Sequence, residues 1–114
     1  MIFSCKSANS VPSGVLPVNS MKEVMWDVMM ADEYVNLMYA KDSTLNVKKE
    51  TLKLYSKVFA LHDVSSEEFG NSYVFYKKNT NMEKILLDSL QVYGAKTREN
   101  YNMKIPFELQ IMQR

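Results

Sequence analysis

Three times along this chain a Ser or Thr is followed, three residues later, by Glu at the head of an apolar run: Ser20 with Glu23, Ser65 with Glu68, and Thr80 with Glu83. Such a pair satisfies the free amide hydrogens of a helix's first turn from both sides, so each marks a helix start. Three starts within 114 residues leave room for little besides helices and short loops. With 3 Gly and 3 Pro, the chain also lacks the turn residues that a sandwich or barrel needs.

The apolar spacing completes the reading. After Ser20, Met21, Val24, Met25, Val28, Met29, Asp32, Val35 and Met38 recur at helical intervals. Trp26, Met30, Tyr34 and Leu37 fall on another side, so this helix expects burial over much of its surface. A second helix takes its stripe from Thr51, Leu52, Tyr55, Val58 and Phe59. A third takes Phe69, Ser72, Tyr73 and Tyr76, and a fourth takes Met82, Ile85, Leu86, Ser89, Leu90 and Tyr93. Gly94 either sits inside the fourth helix or stops it, which places that helix's end between Tyr93 and about Tyr101. The expected fold is an all-α bundle of about four helices, near 20–40, 47–61, 65–78 and 81–100. Residues 20–114 read as a single helical domain, and residues 1–19 as a signal remnant, an anchor cysteine and an extended tether.

Two segments depart from helical period. Val11-Pro12-Ser13-Gly14-Val15-Leu16-Pro17 is proline-framed and reads as extended chain or turn. Its Val11, Val15 and Leu16 are apolar enough to lie against the domain. From about Met103 the chain alternates: Met103, Ile105, Phe107, Leu109 and Ile111 against Lys104, Pro106, Glu108 and Gln110. Period two argues an extended tail, and Pro106 keeps it from a central strand position. The plain reading lays this tail over the bundle. The sharper one pairs Met103 to Ile111 with a second copy or a partner chain, which would make self-association its role.

Charge narrows the function classes. Lys+Arg 14 against Asp+Glu 13 gives a net charge of +1, and the densest basic cluster is Lys48-Lys49. Phosphate contacts need concentrated positive charge, so no nucleic-acid partner is expected. The 9 Met residues suit irregular core gaps first and adaptable binding surfaces second. No Gly-rich phosphate loop, zinc-spaced Cys/His set or nucleophile elbow is present. No cofactor, metal or catalytic residue is therefore expected.

The remaining titratable groups carry weak signals. The single histidine, His62, precedes Asp63 between two predicted helices. Proton transfer oriented by a carboxylate is one reading. A solvent-exposed loop or helix C-terminal residue, favoured there by the helix dipole, is the preferred one. Asp27, Asp32 and Glu33 lie on the first helix and Asp88 on the fourth. Asp32 falls on the apolar stripe and should need a hydrogen-bond donor; a Tyr hydroxyl is the plain candidate. A polar cleft lined by Asp32, Asp88, Tyr34 and Tyr73 is the candidate ligand site, and the chain's amphipathic Tyr and Trp residues suit a core edge or an interface.

Cys5 is the only cysteine, so no intrachain disulfide can form. A buried thiol and a reactive thiol are two readings, with Lys6 the only adjacent cation. Lipid attachment is the third. Ile2-Phe3-Ser4-Cys5 has the aliphatic and small residues that end a bacterial lipoprotein signal, and the polar stretch to Ser20 suits a tether. On that reading the chain as given starts inside the signal.

Cys5, the segment Pro12-Ser13-Gly14-Val15-Leu16-Pro17, the run Met21-Lys22-Glu23-Val24-Met25-Trp26-Asp27-Val28 and Ala31-Asp32-Glu33-Tyr34 together resemble a family of uncharacterised lipoproteins of Bacteroidetes-type bacteria, domain-of-unknown-function family 4296. The stretch Ser65 to Tyr76 is similar to that family's "t-x-E-x-F-x-x-S-x-x-Y-Y" helix. The resemblance covers Cys5 to about Leu90 and stops short of the tail. Asp32-Glu33 departs from the family's Ala followed by Glu-Ala, so no role of Asp32 transfers. The resemblance implies a helical envelope lipoprotein, anchored through Cys5 and without catalytic residues to carry over. The expected function is a non-catalytic module that binds another envelope protein; a ligand-binding or enzymatic domain using the carboxylates and tyrosines of the cleft is the alternative. Residues 6–10 contain no acid of the kind associated with surface export, so an outer-membrane, periplasm-facing position is expected.

Overall fold

The computed structural model describes residues 11–101; Cys5 and the alternating tail from Met103 lie outside the described residues. Four helices follow one another: α1 (Val18–Lys41), α2 (Val47–Leu61), α3 (Ser66–Lys78) and α4 (Thr80–Tyr101). The described residues contain no strand, and the fold is the expected all-α bundle. None of these helices is long and apolar enough to cross a membrane. α1 is the spine: α2 and α4 pack along it, and α3 packs on α4.

Of the three expected capping boxes, one forms its Ser half. Ser65 precedes α3 and its hydroxyl accepts from the Glu68 amide at 2.9 Å. At α1 the helix begins two residues before Ser20, because Pro17 supplies the entry. Its carbonyl accepts from the Met21 amide at 2.8 Å, and no side chain caps the end. At α4, Thr80 is already helical. Asn79 closes α3 and opens α4 through its carbonyl, which accepts from the Glu83 amide at 2.8 Å. Glu83 turns instead to Lys77, 3.0 Å away. α2 takes a cap that the sequence reading did not identify: Asn46, whose side chain accepts from the Lys49 amide at 3.1 Å.

The core is built from Leu16, Met21, Val24, Ala31, Val35, Leu54, Val58, Tyr76, Met82 and Leu86. Burial of a large apolar side chain of this kind is worth about 1.5–3 kcal/mol before entropy is set against it. Stripe assignments need correction in three helices; in α1, Met29 and Leu37 are 43% and 59% exposed. In α2, Leu54 is buried and Leu52 is 54% exposed, because the side that meets α1 runs through Leu54 and Val58. In α3, Ser72 and Tyr76 are buried but Tyr73 is 46% exposed.

The segment before α1 is held by side chains of α3. Val15 closes a turn on the Pro12 carbonyl at 3.2 Å, with Gly14 at φ 85, the left-handed position that a type II turn gives to glycine. Leu16 then enters the core. Its amide donates to the Ser72 hydroxyl at 2.8 Å, and its carbonyl accepts from the Tyr76 hydroxyl at 2.8 Å. Ser72 passes its own proton to the Glu68 carbonyl at 2.7 Å. Both backbone groups of a buried residue are thus satisfied from another element, as burial requires. Burial also raises the pKa of Tyr76, which keeps the hydroxyl a donor.

Gly94 lies inside α4 and is buried against Trp26 of α1. An added Cβ there would stand 2.9 Å from Trp26 Cε3 and 3.0 Å from Cη2. One turn on, the Arg98 guanidinium lies over the same ring, 5.2 Å from its centroid. Among the described buried side-chain polar atoms, Trp26 Nε1 is the one without a hydrogen-bond partner.

Candidate functional site

Among the described residues, the most buried contact between an acid and a basic side chain joins α1 to the end of α2. Asp27 is fully buried, in phase with Val24, Ala31 and Val35 on the side of α1 that enters the core. His62 Nε2 stands 2.7 Å from its Oδ2, and the imidazole is 15% exposed. The two side chains are at hydrogen-bonding distance, with the donor set by the imidazole tautomer. His62 is thereby oriented by a buried acid, the arrangement that also positions a histidine for proton transfer.

Local backbone geometry explains why His62 sits there. α2 ends in a Schellman motif: the Val64 amide reaches the Phe59 carbonyl at 2.9 Å and the Asp63 amide reaches the Ala60 carbonyl at 3.2 Å. Asp63 occupies the left-handed position at φ 55, which glycine would fill at least cost. His62 is the C-cap immediately before it. Two shallow depressions flank the imidazole. One, of about 270 Å³, is lined by Ser20, Glu23, Asp63 and Glu68 among others; the second, of about 370 Å³, is lined by Glu23, Leu61, His62 and Tyr93.

A second feature lies between α1, α2 and α3. An open groove of about 470 Å³ is lined by Met25, Val28, Met29 and Asp32 of α1, Tyr55 of α2, and Phe69, Gly70 and Tyr73 of α3. Its aromatic side is continuous: Tyr55, Phe59, Phe69 and Tyr73 follow at centroid distances of 6.1, 5.3 and 6.4 Å. The groove's one charge among the described residues is Asp32, whose Oδ1 accepts from the Tyr55 hydroxyl at 2.6 Å. Partial burial first, and then the neighbouring Asp32 carboxylate, push the Tyr55 pKa up to about 12. Tyr55 therefore stays protonated and keeps donating.

The residues expected to form one polar cleft fall in three places. Asp32 and Tyr73 line the groove. Asp88 lies on the exposed face of α4, 3.1 Å from Lys84 one turn away. Tyr34 is half-buried against the core. The donor expected for Asp32, a Tyr hydroxyl, is present, although Asp32 itself is exposed. The buried acid on α1 is instead Asp27, and His62 is a helix C-terminal residue, the C-cap of α2, but mostly buried rather than solvent-exposed. The signal for Asp27 was its phase with Val24 and Ala31. Nothing local in the sequence announces that His62 meets it, since the contact spans 35 positions. No group of three or more His, Cys, Asp or Glu able to hold a metal occurs among the described residues.

Two of the segments that carry the family resemblance, 12–17 and 65–76, meet in this structure. Gly14, Leu16 and Pro17 make the turn and strap that Ser72 and Tyr76 hold, and Asp27 makes the contact to His62. The model of a family described as "Domain of unknown function (DUF4296)" matches residues 12–92, most of the chain. No curated protein and no solved structure matches it.

Proposed function

The chain belongs to the family described as Domain of unknown function (DUF4296), and from that premise we propose that it is a lipid-anchored cell-envelope protein whose helical domain binds another protein without catalysis. The observation that carries the binding role is the groove between α1, α2 and α3. Met and aromatic side chains, the types enriched at protein interfaces, line it side by side, and Met29 and Tyr73 are 43% and 46% exposed there. The anchor rests on Ile2-Phe3-Ser4-Cys5 and the polar stretch after it. Each buried CH₂ of an acyl chain contributes about 0.8 kcal/mol, and two chains give stable attachment. The absence of acids in residues 6–10 favours an outer-membrane site facing the periplasm.

Two experiments test this reading. Cells grown with an alkyne fatty acid should yield labelled wild-type protein and unlabelled Cys5→Ser; label that survives the substitution removes the anchor. A photo-crosslinking residue at position 29 should trap a discrete partner in intact envelopes, and one at position 84, on the exposed face of α4, should not. Recovery of the uncrosslinked protein alone from both sites would sink the binding role.

The Asp27–His62 contact favours a second reading, a small ligand-binding or enzymatic domain. Here His62, oriented by Asp27, exchanges a proton with a ligand in one of the flanking depressions. Amide shifts on adding metabolite pools should then cluster at Ser20, Glu23 and Glu68. Shifts confined to the groove would discard this reading.

A further inference from the structure

We infer that the groove between α1, α2 and α3 receives an amphipathic helix from another protein, with apolar side chains against Met25, Met29, Phe69 and Tyr73 and one Arg or Lys reaching Asp32. The inference rests on the protein-binding reading and names the partner's chemistry.

Charge complementarity selects the partner. Among the described residues, Asp32 is the only charged one lining an otherwise apolar and aromatic groove. Tyr55 holds its Oδ1 at 2.6 Å, which fixes the carboxylate's position and leaves Oδ2 for an incoming donor. A carboxylate accepts more than one hydrogen bond, and a guanidinium or ammonium is the donor it binds best. A second copy of the chain is the poorer occupant. A two-fold pairing of the same patch would bring two Asp32 carboxylates to one small apolar surface, where like charges repel.

The groove's wall argues for a partner with a backbone of its own to bring close. Gly70 sits in the second turn of α3, and apart from its chain neighbours and its own helix backbone no atom lies within 4 Å of where a Cβ would stand. A mid-helix glycine costs about 1 kcal/mol relative to Ala, and no packing inside the described domain requires it. It leaves one wall of the groove low enough for close approach by another main chain. No strand edge exists among the described residues, so an added strand has nothing to pair with. Helix-in-groove docking, with anchors three and four residues apart, is the mode assigned to a groove lined by methionines as well as aromatics. Methionines let such a surface adapt to the anchors it meets.

The test is selection of a displayed library of amphipathic helices, about five turns long, on the full chain. Enriched peptides should share an apolar stripe and a basic residue at its flank. Their affinity should fall at least about tenfold for Met29→Glu, a substitution at a solvent-facing hot-spot candidate. Circular dichroism and melting of each variant establish that the fold is kept. Replacing the peptide's basic residue by Gln should slow association about tenfold on the wild type and have no effect on Asp32→Asn, which keeps an acceptor for Tyr55. Five outcomes overturn the inference. Binding unchanged by Met29→Glu places the peptides elsewhere and leaves the protein-binding reading standing. A basic preference that persists in Asp32→Asn removes the assigned chemistry. Binding that appears only after residues 102–114 are deleted makes the chain's own tail the occupant. A wild-type dimer that Met29→Glu dissociates makes it a second copy. Enrichment of no peptide at all defeats both the inference and the broader reading.

Discussion

Gly94→Ala sets two known effects against each other at one atom. In a helix interior Ala is favoured over Gly by about 1 kcal/mol. Against that, the new methyl would meet Trp26 Cε3 at 2.9 Å and Cη2 at 3.0 Å, with Cζ3 closer still. Carbon atoms pack best near 3.5–4.0 Å, so the indole has to retreat by at least about 0.5–1 Å. The ring is only 7% exposed and lies under Arg98, which leaves it little room to move. Overpacking of this kind costs about 1–3 kcal/mol, and contact with three ring atoms places the cost in the upper part of that range. The net expectation is destabilisation by about 1–2 kcal/mol, a fall of about 4–8 °C in melting temperature for each kcal/mol in a domain of this size. Gly70→Ala is the control, because a Cβ there meets nothing within 4 Å. It should gain about 0.5–1 kcal/mol from propensity alone. Urea unfolding followed by fluorescence of the single Trp and by far-ultraviolet dichroism measures both, with an unchanged denaturant slope as the check on two-state behaviour. If Gly94→Ala gains stability as Gly70→Ala does, Trp26 does not constrain α4 and the packing argument is wrong.

Three further outcomes follow from the same geometry. His62→Ala removes the partner on α2 of the fully buried Asp27 and should cost about 1–3 kcal/mol, whereas His62→Gln, which can still hydrogen-bond, should cost clearly less; equal unfolding midpoints for the two would show that the contact is incidental. Ser72→Ala removes the acceptor for the buried Leu16 amide and should cost about 1–3 kcal/mol, with hydrogen exchange at Leu16 accelerating well beyond that of its neighbours in α1. Tyr55 titrates near 12 in the folded chain against 10.0 unperturbed; its raised value means that its contribution is fully present below pH 10 and is lost as pH rises through about 12. Ultraviolet titration of wild type against Tyr55→Phe should therefore assign to Tyr55 an ionisation that lags those of the exposed tyrosines.

Local pattern carried the helices and little of what joins them. Helical spacing put the first helix at 20–40 and the structure has Val18–Lys41, because an apolar stripe is a property of one segment. The caps were less legible. Pro17 and Asn79 override Ser20 and Thr80, since a chain tied down upstream or joined to the preceding helix has no freedom to begin where the side-chain signal is best. In α2, Leu52 and Leu54 both fit a helical stripe, and only the position of α1 decides that Leu54 is buried. The same holds for the polar contacts. That Asp32 would take a Tyr hydroxyl was readable from its place near the stripe; that the Tyr is Tyr55 depends on α1 and α2 lying antiparallel. Asp27 and His62 meet for that reason too, and neither neighbourhood in sequence contains the other.

The strap at Leu16 also has a mechanical meaning. Any pull arriving from the N-terminal side of Val11 reaches Leu16 before it reaches α1. There the load passes sideways through Ser72 and Tyr76 into α3, some 56 and 60 positions along the chain. Two hydrogen bonds and one buried leucine, loaded together, stand between such tension and the first turn of the spine helix. A tethered domain would in this way be held by its middle, with its longest helix shielded from the force that holds it in place.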